Sequence, residues 1–422
     1  MNKCIKSMLL FVFLFSGFTF AQDSLNVAKK DSAKIANLEK RIKALEEKQN
    51  ENDLEKLLNE AQTASNEKSK EKKTKVFKSG QRALQAINPE ISVTGDAYGQ
   101  FILNKDGFRE GARTGAYFRT LGIHIQGNLD PFSLTKVAVE VHPDGVELGE
   151  AYVTWSNFLP KISLTAGKFR QQFGVVNRWH VHSLDQFDFP LALTTILGED
   201  GLNQIGLSFN WLMPSITADA NNLIVEITNG QNDQLFGGEM FSFPSILMHL
   251  KNYYDLSRNA YLEFGLTAMY GRNNFKGFDN GIKVVEDTRN TILGGVDLTI
   301  FWEPVNQALY HSFLWRSELY YANKEVAPNQ NIKALGGYSY IDYKLAEQWQ
   351  IGTRFDYTQP FEVNNSSKYT YQVVPYITWW QSHWVRMRLQ YSYMNGNVLP
   401  ESANTLRLQM VWAVGPHKHD RY

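Results

Sequence analysis

Arginine recurs in the second half of this chain at positions whose neighbours are apolar. Arg386 and Arg388 alternate with Val385, Met387 and Leu389, Arg407 lies between Leu406 and Leu408, and Arg354 stands two residues before Asp356. In extended backbone, residues two apart share a face. The apolar residues of these segments then line one face, and Arg354, Arg386, Arg388 and Arg407 line the other. Such a row gathers anions, because a guanidinium keeps its charge at any physiological pH and offers a fork of donors suited to carboxylate and phosphate oxygens. By the same phase Arg316 and Glu318 share a side, as do Lys136 and Glu140. Pairs of this kind also brace a wall as local ion pairs, which leaves only a weak preference for either sign of charge.

A second group of candidates lies in Gly174–Gly201, the longest connection between extended segments. It carries Arg178, His180, His182, Asp185, Asp188, Glu199 and Asp200 around an apolar middle of Phe187, Phe189, Leu191, Leu193, Ile196 and Leu197. Water alone does not favour that apolar content. Folding back against a lumen wall would bury it and set Arg178, His180, Asp185 and Asp188 opposite the arginine row as a constriction. The alternative is a loop packed on its neighbours or on another protomer. Lys168 and Arg170 lead into the loop, but they share the phase of Ile162, Leu164 and Ala166, so aiming them inward requires a bulge or turn. His180 and His182 have the spacing of a metal pair in extended backbone, yet no third ligand is evident. They are read as pore or loop histidines, and no cofactor is implied.

The elements that must position these residues repeat from about Glu90 onward. Sixteen short segments alternate apolar and polar residues, as in Ile205, Leu207, Phe209 and Trp211 against Gln204, Gly206, Ser208 and Asn210. Tight connections such as Asn128–Pro131, Asp255–Asn259 and Gln381–His383 alternate with longer polar ones, among them Arg272–Arg289, Asn323–Asn331 and Gln359–Lys368. Only His142–Gly145 is short where a long one is due. Trp155, Trp211, Trp302, Trp349, Trp379, Trp380, Trp384 and Trp412 cluster towards the short-turn end or the last strand's end, where a membrane–water interface would hold indoles. The pattern predicts an all-β fold: a closed, sixteen-stranded antiparallel transmembrane β-barrel over residues 90–422, with short turns in the periplasm.

The first ninety residues are organised differently. Lys3 and Lys6, the apolar stretch to Phe20 and Ala21 read as a secretory signal peptide over residues 1–21. It would remove the chain's one cysteine, Cys4, and with it any Cys-based chemistry. Ile35, Leu38, Ile42 and Leu45 follow the spacing of a coiled-coil seam, placing a short periplasmic helix in residues 22–62, either self-associating or a solvated amphipathic spacer. Residues 63–89 read as a flexible linker, six lysines lying in Thr63–Gly80. Residues 1–89 hold 17 Lys+Arg and 11 Asp+Glu, leaving 26 and 32 of the 43 and 43 for the barrel, so a neutral whole hides a barrel of net −6.

Four stretches carry a likeness to a known family. They are Asn88-Pro89-Glu90-Ile91-Ser92-Val93-Thr94-Gly95, Ala166-Gly167-Lys168-Phe169-Arg170-Gln171-Gln172-Phe173-Gly174, Arg354-Phe355-Asp356-Tyr357 and Gly415-Pro416-His417. Over residues 85–422 the chain resembles the phosphate-selective porin O/P family, in the form with an N-terminal coiled coil found in Bacteroidetes envelopes. The resemblance implies a homotrimeric passive channel in the outer membrane of a Gram-negative bacterium, with its third outer loop folded inward. The family's phosphate specificity rests on a dense ladder of arginine and lysine. A barrel of net −6 argues instead for a channel for small hydrophilic solutes, general or with a modest anion preference. The partners expected are membrane lipid and those solutes, not nucleic acid. No Gly-x-Ser-x-Gly or phosphate-cradling loop is present, and adjacent His311 and Ser312 point to opposite faces, so the chain is not read as an enzyme. The rival is a structural envelope protein, its barrel plugged by the loop and anchored by the coil.

Overall fold

The computed structural model describes residues 89–104, 113–236, 244–279 and 282–415. The signal peptide, the coiled coil and all but the last residue of the linker lie outside the described residues. Sixteen strands follow in order: β1 Glu90–Ile102, β2 Gly115–Asp130, β3 Ser133–His142, β4 Gly145–Leu159, β5 Ile162–Arg170, β6 Asn203–Met213, β7 Ala220–Thr228 and β8 Ser245–Ser257, then β9 Ala260–Asp279, β10 Ile282–Trp302, β11 Ser312–Ala327, β12 Gln330–Ala346, β13 Trp349–Thr358, β14 Thr370–Ser382, β15 Val385–Gly396 and β16 Ala403–Val414. Each pairs antiparallel with its sequence neighbour, and β1 closes on β16 in a register running from Val93↔Val414 to Ile102↔Thr405. Closure leaves no sheet edge, so the strands' backbone donors and acceptors are satisfied within the wall.

The alternation sorts side chains into two environments. Ile91, Phe101, Ile205, Phe355 and Leu408 face outward and are roughly half exposed, whereas Thr94, Asp96, Gln204, Asp356 and Gln409 face inward and are buried. Such a belt suits hydrocarbon rather than water, since each large apolar side chain gains about 1.5–3 kcal/mol on leaving water. Trp155, Trp211, Trp349 and Trp384 are among the exposed side chains near the short turns. Among the described residues no helix is long and apolar enough to cross a membrane, which does not bear on crossing by strands.

Two expected outer loops are instead strand. Pairing of β9 with β10 continues through Arg272↔Asn290 and Asn273↔Arg289 to Asp279↔Ile282, so most of Arg272–Arg289 is a β-ribbon. Likewise β11 and β12 pair as far as Ala327↔Gln330, across Asn323–Asn331. Beyond the apolar zone a ribbon needs no greasy face. The alternation stops while the backbone ladder, which every residue can extend, goes on.

The barrel's interior holds a hydrophobic core. Phe173, Val176, Trp179, Leu184, Leu193, Ile196 and Leu197 of the β5–β6 connection pack against inward-facing Leu247, Met269, Leu293, Leu314, Tyr338 and Tyr340. The connection includes 3-10 turns at Val176–Arg178 and Val181–Ser183 and one helix, α1 Leu191–Leu197. Helix α1 lies against β11, β12 and β13.

Candidate functional site

The loop, residues 171–202, enters and leaves the lumen through one staple. Asn177 is fully buried; its Nδ2 donates to the carbonyls of Gln171 (2.8 Å) and Leu202 (3.1 Å), and its Oδ1 accepts from Leu202 N (2.9 Å). Gly174 turns the chain inward with φ +62°, and a Cβ there would sit 2.0 Å from Glu318 Oε2. Both facts call for glycine. Beyond it the amides of Val175 and Val176 donate to Glu318 Oε1 at 3.1 and 3.0 Å, while Tyr320 and Tyr338 donate their hydroxyls to the same carboxylate. Trp179 then lies under the Arg316 guanidinium, 4.8 Å from carbon to ring centre.

From there the loop crosses the lumen and is tied to strand after strand. The His180 ring stands between two glutamates, Nδ1 2.7 Å from Glu140 Oε1 and Nε2 2.9 Å from Glu150 Oε2. Arg386 donates to the carbonyl of His182, and Arg388 to that of Leu184 (3.1 Å) and to Gln409 Oε1 (3.1 Å). Asp185 accepts from Tyr340 OH at 2.7 Å, Gln186 donates to Tyr376 OH at 3.0 Å, and Phe187 N donates to Gln390 Oε1 at 2.9 Å. Arg119 and Arg407 both lie over the Phe187 ring, 4.2 and 4.7 Å from its centre. Asp188 is gripped by Arg354 (3.1 Å) and Arg407 (3.4 Å). Burial pushes its carboxyl up, but Arg354, Arg407 and Arg119 outweigh that and hold it below the ordinary aspartate value.

The thirteen residues singled out in the sequence fall into three groups. Arg354, Asp356, Arg316, Glu318, Arg386, Arg388 and Arg407 face inward and, with His180, Asp185 and Asp188, form one connected set of loop-to-wall contacts. Arg178 is exposed to the lumen's water, its Nη1 on Gln172 Oε1 at 2.8 Å. The third group, at the end of β5, divides: Lys168 corrects the expectation, whereas Arg170 borders the lumen cavity. The β5–β6 register is unbroken, so Lys168 sits opposite outward-facing Ile205 and spends its Nζ on the Leu148 carbonyl (2.6 Å) rather than turning inward. Arg170, the strand's last residue, is covered by the returning loop and donates to the Asp200 carbonyl (2.9 Å).

The arginine row therefore differs chemically from the free ladder that spacing suggests. Arg354, Arg386 and Arg388 are each at most 2% exposed, and each gives a donor to a loop carbonyl. They bolt the loop down. Water reaches instead a cavity of about 500 Å³ bordered by the loop's Asp188 and Phe189 and the wall's Arg119, Glu140, Arg170 and Arg407.

Several participants escaped the sequence reading. Tyr338 and Tyr340 share the inward phase opposite Ile341 and were open to the alternation argument. Glu150 was not. In β4, Val146 and Leu148 face out, and an uninterrupted period of two would put Glu150 beside them. The β3–β4 register slips so that Val139 pairs with Leu148 but Ala138 pairs with Glu150, and the extra residue at Gly149 turns Glu150 inward.

No family model matches the chain. An uncharacterized protein of Aquifex aeolicus (strain VF5) is 26% identical over an alignment of 253 residues that covers 56% of this chain and 52% of that protein, so the chain spans about half the length of the curated relative it matches. Among solved structures the fold is similar to the outer membrane channel DcaP of Acinetobacter baumannii (TM-score 0.53, 12% identity, 78% of this chain and 96% of that one). It is similar also to an anion-selective porin from Comamonas acidovorans (0.53, 10%, 77% and 99%) and to the trimer form of OmpT, an outer membrane protein of Vibrio cholerae (0.51, 12%, 77% and 99%). At these identities the likeness is one of fold.

Proposed function

We propose that this chain is an outer-membrane porin, a passive diffusion channel for small hydrophilic solutes, with its inward-folded β5–β6 loop as the constriction. The observation that carries the reading is the pairing of a closed sixteen-strand barrel, lipid-suited outside, with a cavity of largely polar lining bounded by that loop. The similar solved folds include a channel and a porin, which supports it. Assembly as a homotrimer in outer-membrane lipid belongs to the same proposal, as does kinship with the phosphate-selective porin O/P family on the four motifs. Any anion preference is modest: the guanidiniums expected to supply it are engaged by the loop, and Arg407 and Arg119 at the cavity stand beside Asp188 and Asp96.

The test is single-channel conductance of the purified protein in planar bilayers, with reversal potential in a salt gradient. Discrete current steps with a small anion-side potential are expected. One observation favours the rival reading, a plugged structural pedestal: the loop bonds to the wall on nearly every side. Absence of current from correctly inserted barrels would establish that rival and overturn the channel.

A further inference from the structure

The His180 bracket has a property that the other loop ties lack. A neutral imidazole carries one N–H, and an ionised carboxylate can only accept. With Glu140 2.7 Å from one ring nitrogen and Glu150 2.9 Å from the other, both nitrogens must donate, so the arrangement needs the imidazolium. Take the proton away and one nitrogen turns a lone pair on a carboxylate, leaving two buried glutamates with one fewer cation between them. Arginine ties to the far wall, through Arg354, Arg386 and Arg388, do not titrate in this way.

Other charged and titratable groups surround the bracket. From β3 come Lys136, 3.2 Å from Glu150, and His142, 3.6 Å from Glu140. From β2, His124 meets the His180 ring edge-on at 4.9 Å, and within the loop His182 stacks on it at 5.6 Å. Arg170 of β5 donates its backbone amide to Glu150 Oε1 at 3.3 Å, and Arg178 is the loop's nearby cation. On β1, Asp96 is occupied by Arg119 and Gln409. The position also matters. Glu140 and the loop's Val181 both border the 500 Å³ cavity, so the bracket forms part of its boundary.

We propose that His180, held between Glu140 and Glu150, is a proton-operated latch. Protonated, it pins residues 179–184 against β3 and β4 and narrows the passage. Deprotonated, it releases that side of the loop while the arginines keep the rest in place, and the cavity extends past His180 along the β3–β4 wall. This rests on the channel reading, and the test separates the two.

Two measurements on the full-length protein decide it. In planar bilayers, raising the pH from about 5.5 to about 8.5 should raise conductance or open occupancy. In parallel, exchange of the backbone amides of residues 179–184, corrected for the intrinsic pH dependence and followed by mass spectrometry, should accelerate by about tenfold or more, the scale of one charge-assisted hydrogen bond. The H180Q variant should be fast-exchanging and open at both pH values. The H180R variant, a permanent cation, should stay slow and narrow at both, and H383Q, in the exposed turn between β14 and β15, should keep the wild-type response. Exchange that switches with pH without current at any pH would keep the latch and sink the channel reading. Current steps with flat exchange and flat conductance, or an H180Q response like wild type, would overturn the latch and leave the channel.

Discussion

Replacing Arg354 by methionine should undock the middle of the loop while the barrel stays closed. The side chain is wholly buried and makes four contacts: Nε to Asp356 Oδ2 (2.9 Å), Nη1 to the Asp188 carbonyl (2.8 Å) and Gln186 Oε1 (3.3 Å), and Nη2 to Asp188 Oδ1 (3.1 Å). Methionine fills most of the stem's volume and supplies no donor. Asp188 is cushioned, since it keeps Arg407 at 3.4 Å and is partly exposed. Asp356 is not, being 0% exposed with Arg354 as its ion-pair partner. Taking one member from a buried pair costs about 3–5 kcal/mol, and the access of water to Asp188 places this case near the low end, about 3 kcal/mol. That corresponds to about a 150-fold shift in loop docking. Hydrogen exchange at Phe187 N and Leu193 N, which are bonded to Gln390 and to the Pro190 carbonyl, reads the docked state directly. Exchange should accelerate by about two orders of magnitude in R354M. It should fall back most of the way in the double variant R354M/D356L, where no orphaned carboxylate remains. Acceleration below about fivefold, or no recovery in the double variant, would refute the view that these charges hold the loop.

Three further outcomes follow from the same geometry. The Asp188 carboxyl is held below its ordinary 3.8, so the stability it confers is present above that value and is lost only as pH falls through the lowered one; intrinsic-corrected exchange of residues 186–193 should stay constant from pH 7 to about pH 4 and rise below. At Gly336 a Cβ would lie 2.9 Å from that of Ala192, so G336V should push α1 off β12 at a cost of about 1–3 kcal/mol, seen as faster exchange at Leu193 with the β-sheet circular-dichroism signal intact. Leu408 faces outward at 52% exposure, and L408R should destabilise the barrel in liposomes by up to about 2–4 kcal/mol in denaturant titration, whereas L408I should be near neutral.

What was legible in the sequence is the part that lipid imposes. Where a strand crosses the apolar zone, every second side chain must be greasy, so Leu406, Leu408 and Met410 locate Arg407 and Gln409 on the inner wall by phase alone. Sixteen strands and the inward phase of Arg354, Arg386 and Arg388 follow from that constraint. It lapses in three places. Above the membrane β9 and β10 continue as a ribbon held by backbone pairing, which leaves no side-chain trace. At Gly149 one extra residue exchanges the two faces, and Glu150 passes from the apparent lipid side to the His180 bracket. At Lys168 no such slip occurs, and the side chain keeps the outward phase that the alternation alone would have given it.

The arginines show a different kind of limit. Phase tells which wall a guanidinium occupies but not what it meets there, and here four of the acceptors are main-chain: the carbonyls of His182, Leu184, Phe187 and Asp188. Any residue supplies a carbonyl, so no pattern of side chains announces the contact. The apolar middle of the loop is the indirect signal. Leu193, Ile196 and Leu197 need an interior, and the interior available is the lumen, which brings the neighbouring backbone within reach of the wall. Once there, each carbonyl's dipole and each loop carboxylate offsets charge that a count of arginines would assign to passing anions. The same residues that read as a selectivity filter in the sequence thereby act as fastenings of the loop. In the proposed channel, selectivity would then fall to groups that stay at least partly exposed, Arg178 on the loop and Arg119, Asp188 and Arg407 around the cavity.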